Sequence, residues 1–91
     1  MATMTKVFHS DNGHGWMAVK LSELKMFGIE DKISSYSYVK GKTAYLEEDC
    51  DAMTFIQAAK AKGITVELKE SPQRDRSPIR YFKSYSPELV G

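Results

Sequence analysis

Cysteine is almost missing from this sequence: Cys50 stands alone among 91 residues. A single thiol rules out an intramolecular disulfide and fits a reducing compartment, so the chain is expected in the cytoplasm. Long apolar runs are also absent. No stretch nears the ~18 residues needed to cross a bilayer. The first residues lack the apolar centre of a signal peptide, so no membrane partner is expected. Excess charge is scarce as well. Thirteen basic and twelve acidic side chains leave a formal charge of +1, which excludes the global field of a strongly basic nucleic-acid binder.

What is present suffices for a small core. The chain is 42% hydrophobic and 11% aromatic. The expectation is a single α+β domain over residues 1–91, with a loose start at 1–5 and a mobile tail at 86–91. Stability should sit near the low end of the usual range of roughly 5–15 kcal/mol, where a partner or a homo-oligomer would help.

Lys6 to His9 and Trp16 to Lys20 read as two strands joined by turn chemistry from Ser10 to Gly15. Leu21, Leu24 and Phe27 recur at helical spacing, which predicts a short helix over Ser22–Phe27, capped by Ser22 and closed by Gly28. Ser35 to Tyr45 predicts a hairpin turning at Gly41. A two-residue loop there puts Tyr36, Tyr38 and Tyr45 on one face.

Ala52, Phe55, Ile56 and Ala59 predict the main helix, with Asp49 as its N-cap and Gly63 as its stop. Ile64, Val66 and Leu68 alternate with polar residues as in a half-buried strand, and Ile79 to Tyr85 offers a last strand. The order is ββαββαβ with an optional final β. A mainly antiparallel sheet with two helices on one face buries these patterns best.

Asp11-Asn12-Gly13-His14-Gly15-Trp16 is the most distinctive stretch. Its glycines permit a tight turn that presents His14 where a strand begins. His9, Asp11, His14 and Trp16 form a candidate functional loop. Glu47, Glu48, Asp49 and Asp51 form an acidic cluster. His9, Asp11 and His14, with Cys50 or one of these acids, are one candidate metal-ligand set, and the acidic cluster alone is a candidate for Mg²⁺ or for a general acid and base pair, but the spacing matches no strong motif, so no metal or other cofactor is expected. Cys50 with His14 is a conceivable nucleophile and base. The surrounding carboxylates would raise the thiol pKa, so no enzyme is expected.

Tyr36, Tyr38 and Tyr45, together with Arg74, Arg76 and Arg80, form the candidate partner-binding set. Tyrosine, tryptophan and arginine are enriched at protein interfaces. Stacking rings beside cations also describe a platform for single-stranded nucleic acid.

Gly13-His14-Gly15-Trp16, then Ile33-Ser34 with Tyr36-Ser37-Tyr38, then Tyr45-Leu46-Glu47-Glu48-Asp49 with Asp51-Ala52, resembles a family of small bacterial, phage and plasmid proteins. The resemblance spans roughly residues 9 to 63. That family brings no established activity, so no site residue is carried over from it. Membership would imply an accessory protein of a mobile element that binds host factors, inhibitors of host defence included. Three classes therefore stay open. The first is a non-enzymatic module binding a macromolecule, most simply a protein. The second is a binder of single-stranded nucleic acid, and the third a small metal-dependent or Cys/His enzyme.

Overall fold

In the computed structural model, residues 2–71 and 78–90 are described. The first strand, β1, spans Ala2–Ser10 and turns through residues 11–14 into β2, Gly15–Lys20. Phe8 lies opposite Met17 and His9 opposite Trp16 across this antiparallel pair. A short helix, α1, follows at Leu21–Met26. Its first turn is capped by Glu23, whose Oε1 accepts the Lys20 N–H at 2.8 Å, and not by Ser22.

The hairpin of β3, Tyr38–Lys40, and β4, Thr43–Glu47, turns on Gly41-Lys42, with Gly41 at a φ of 62° that suits glycine. The long helix α2 occupies Asp51–Ala61, and β5 runs Ile64–Glu70. Pro78–Tyr81 is a 3-10 turn, and the last strand, β6, is only Lys83–Ser84.

The strands form one six-stranded sheet in the order β5-β1-β2-β4-β3-β6. Four pairings are antiparallel, but β1 and β5 run parallel over their length. The sheet is therefore mixed: antiparallel in most of its pairings, as expected, with one parallel pair that the pattern did not foresee. The reason lies in α2: a chain that leaves β4, crosses the sheet as a helix and returns beside β1 arrives parallel to it. The same pairing corrects the loose start, because residues 2–5 are a strand matched to Ile64–Glu67. The tail is corrected as well. Pro87–Val90 forms a 3-10 turn, and Leu89 and Val90 pack against the core.

Both helices cover one face. Leu24 and Phe27 join Ala52, Phe55 and Ala59 over Met17, Val19, Ala44 and Leu46 in one cluster, and the Phe27 and Phe55 rings meet edge to face at 5.2 Å. Leu68, on the apolar side of the strand expected to be half-buried, is instead 48% exposed. Tyr85 closes the far end. Its hydroxyl donates to the Glu30 carbonyl at 2.7 Å, and burial, then the nearby Glu30, Asp31 and Asp51 charges, push its pKa up to about 12. The stability this neutral hydroxyl contributes is complete below pH 10 and is lost as pH rises through about 12.

Two polar devices fix the start of α2. Glu47 receives the N–H groups of Asp49 and Cys50 at 3.2 and 2.7 Å, so Glu47, not Asp49, supplies the capping carboxylate. Asp51 is 2% exposed, and its Oδ2 accepts from Ser34 N, Ser34 Oγ and Ser37 Oγ at 3.0, 2.6 and 2.6 Å. Ser37 in turn accepts the Glu47 N–H at 2.9 Å, and its carbonyl receives the Tyr85 N–H at 2.8 Å. The 34–37 turn, α2, β4 and the C-terminal segment thus converge on one buried carboxylate. This turn also takes Tyr36 out of the strand.

Candidate functional site

The face away from the helices carries His9, Trp16, Tyr38, Tyr45 and Glu47, because side chains alternate along each strand. It is not left bare. The C-terminal segment crosses it and seats Phe82 against Tyr45 at 5.3 Å between ring centroids. The other side of the Tyr45 ring meets His9 edge-on at 5.8 Å. Tyr45 is thus half-buried between two rings and is not an open contact residue.

Arg80 is the clamp that holds this segment. Its Nε donates to Asp11 Oδ2 and its Nη2 to Asp11 Oδ1 at 2.8 Å, a two-point fork on one carboxylate. Asp11 is buried. It also accepts the Gly13 and His14 N–H groups at 3.1 and 3.0 Å, which shapes the turn between β1 and β2. The hydrogen bond from Arg80 to Asp11, aided by the Asp11 charge, raises the guanidinium pKa above its ordinary value. The guanidinium lies 5.8 Å from the Trp16 ring centroid. Its Nη2 also stands 3.0 Å from His14 Nδ1. Arginine can only donate, so Nδ1 accepts and a neutral His14 carries its proton on Nε2.

His14 stacks on Trp16 with ring planes 13° apart and centroids 5.9 Å apart. Tyr38 meets Trp16 edge-on at 6.3 Å. Of the two glycines that flank His14, Gly15 leaves no room for a side chain unless the Phe8 ring moves, and Gly13 sits tightly against Arg80. A Cβ on Gly13 would stand 3.2 Å from Arg80 Nη2, and one on Gly15 would run into the Phe8 ring.

These contacts build a shallow cleft of about 310 Å³, lined by His14, Trp16, Tyr36, Tyr38, Glu47, Asp49 and Arg80. Trp16 is its buried floor, at 1% exposure, and Tyr36 an open wall, at 78%. Residues from three separate sequence candidates meet here: His14 and Trp16 from the loop, Tyr36, Tyr38 and Arg80 from the partner-binding set, and Glu47 and Asp49 from the acidic cluster.

Others fall elsewhere. His9 sits on β1 with Nδ1 3.1 Å from Ser71 Oγ. Glu48 is exposed beside Gly15. Asp51 is spent on the serine turn. Arg74 and Arg76 lie outside the described residues. Cys50 is exposed at the start of α2 and does not line the cleft that His14 lines. Among the described residues, no three His, Cys, Asp or Glu side chains are grouped to hold a metal ion, and no helix is long and apolar enough to cross a membrane.

Sequence reasoning missed Phe82, the cover over Tyr45, and Tyr81, which stands 70% exposed beside Arg80. The only signal was the aromatic density of Tyr81-Phe82 and Tyr85 in a polar segment.

The chain matches no known family model, no curated protein and no solved structure.

Proposed function

We propose that this chain is a small non-enzymatic binding protein whose partner is another protein, contacted at the His14–Tyr36–Tyr38 cleft and the adjoining Tyr81. One observation carries the reading. Tyr36 and Tyr81 are large aromatic side chains left 78% and 70% exposed beside a preformed cleft with a tryptophan floor. Rigid aromatic side chains around such a cleft are the usual anchors of protein interfaces, since they bury large areas at low entropic cost.

The state of Arg80 favours protein over nucleic acid. Its fork is taken by Asp11, and Glu47 and Asp49 line the same cleft, so a phosphate backbone would meet carboxylates there. An accessory role in a mobile element belongs to the same proposal and rests on the resemblance, and a cytoplasmic setting rests on the lone cysteine.

The test is affinity capture from a nuclease-treated bacterial lysate with the wild-type chain and with a Tyr36→Ala, Tyr81→Ala double variant. Both substitutions are on exposed rings, so folding is expected to survive. Wild type should retain a protein that the double variant loses. Retention that disappears with nuclease, or that is equal for the two baits, would refute the proposal.

A further inference from the structure

The outer edge of the sheet has a pattern that the cleft does not use. Strand β5 is outermost, seven residues long and free of proline, and among the described residues it pairs with β1 alone. Two bonds at its ends fix where its peptide groups point. The Gly63 carbonyl accepts the Ala2 N–H at 3.2 Å, and the Ser71 N–H donates to the Phe8 carbonyl at 2.9 Å. Within a strand, the N–H and C=O of one residue point to the same side, and neighbouring residues alternate. Thr65, Glu67 and Lys69 therefore direct their backbone groups to β1, while Ile64, Val66, Leu68 and Glu70 direct theirs to the open edge. Leu68 is 48% exposed on that edge. An open row of such groups is a template for a further strand.

We propose that the strand it receives is β5 of a second copy of this chain, antiparallel about a two-fold axis at Leu68. The charges choose the register. A two-fold at Glu67 would set glutamate against glutamate, and one at Lys69 lysine against lysine, both unfavourable directly opposite. A two-fold at Val66 would face Glu67 with Thr65 and leave Lys69 without an opposite charge. A two-fold at Leu68 sets Glu67 against Lys69 of the second copy, and symmetry makes the pair twice.

The backbone agrees with that choice. Leu68 then faces Leu68, and Val66 faces Glu70, as hydrogen-bonded pairs built from the outward groups. Glu67 and Lys69 fall at the non-hydrogen-bonded positions, where opposing side chains come closest. The two leucines, each half exposed in the single chain, meet at the axis. The result is a continuous sheet through two copies, with the two clefts at a distance from the new seam, because β5 and β4 are separated by β1 and β2.

Sedimentation equilibrium of the full chain over a concentration series tests this directly. The expected species is a dimer of the 10.3 kDa chain. Lys69→Glu and Glu67→Lys should each weaken it about tenfold by setting like charges opposite. A chain carrying both substitutions should recover wild-type association, because the pair is restored with its signs exchanged. Circular dichroism of each variant checks that the fold is kept. A chain that stays monomeric up to millimolar concentration overturns the proposal. So does a dimer indifferent to the single substitutions, or a double variant no better than the singles. None of these outcomes depends on whether the cleft binds a partner.

Discussion

Asp51→Ala is expected to lower the unfolding free energy by about 3–5 kcal/mol, measured by urea denaturation. Asp51 Oδ2 alone accepts the Ser34 N–H, the Ser34 hydroxyl and the Ser37 hydroxyl, and Ser37 is fully buried. Hydrogen bonds to a charged acceptor are worth about 1.5–3 kcal/mol each, and a buried donor left unmatched adds about 1–3 kcal/mol. These contributions overlap, which is why the expected total is below their sum. Asp51→Asn should cost clearly less, because one amide oxygen can still receive the same donors. Equal losses for alanine and asparagine would show that the charge, not the acceptor position, is what the turn requires.

The second large effect is in the core. Phe55→Ala is expected to cost about 3–5 kcal/mol, the usual range for removing a fully buried phenylalanine. Phe55 has no exposure and packs edge to face on Phe27, so its loss opens a cavity between the two helices. A domain of this size holds few kilocalories in reserve. Far-UV circular dichroism at 37 °C should therefore show a substantial unfolded fraction. A variant with an unchanged urea midpoint would mean that Phe27 and its neighbours close the gap, and that the two-helix cluster is not the main source of stability.

The sequence made the local elements legible where one side chain pattern dominated. Gly41 marked the β3–β4 turn, and the Ala52, Phe55, Ala59 spacing marked α2 and its buried face. What stayed hidden depended on distant partners. The parallel β1–β5 pairing draws in Ala2 to Thr5, where the alternation of Ala2 and Met4 with threonines is too short, and is broken at Lys6, to mark a strand by itself. By residue type Asp49 is the natural N-cap and Glu47 is not. Only the position of β4 against α2 puts Glu47 in reach of the free N–H groups.

The site shows the same division. The glycines around His14 signalled a special turn, and the steric reason is firm at Gly15, where a Cβ would run into the Phe8 ring. The clamp itself joins Asp11 to Arg80 across 69 positions, a contact that no local spacing encodes. The three tyrosines looked like a single face under strand alternation. They separate because the Ser34–Ser37 turn lifts Tyr36 into solvent, while Phe82 folds over Tyr45.

The proposed binding role rests on the cleft, and Trp16 is a reporter placed in its floor. It is the only tryptophan, so a chain grown with 5-fluorotryptophan carries a single fluorine signal, at a residue 1% exposed beneath His14 and Arg80. The decisive measurement is the fluorine NMR spectrum of that labelled chain during titration with the captured, unlabelled partner protein. A saturable shift of the Trp16 resonance that is lost in the Tyr36→Ala, Tyr81→Ala variant is the predicted result. A resonance that stays in place while co-sedimentation shows the partner bound would locate the contact elsewhere and contradict the account.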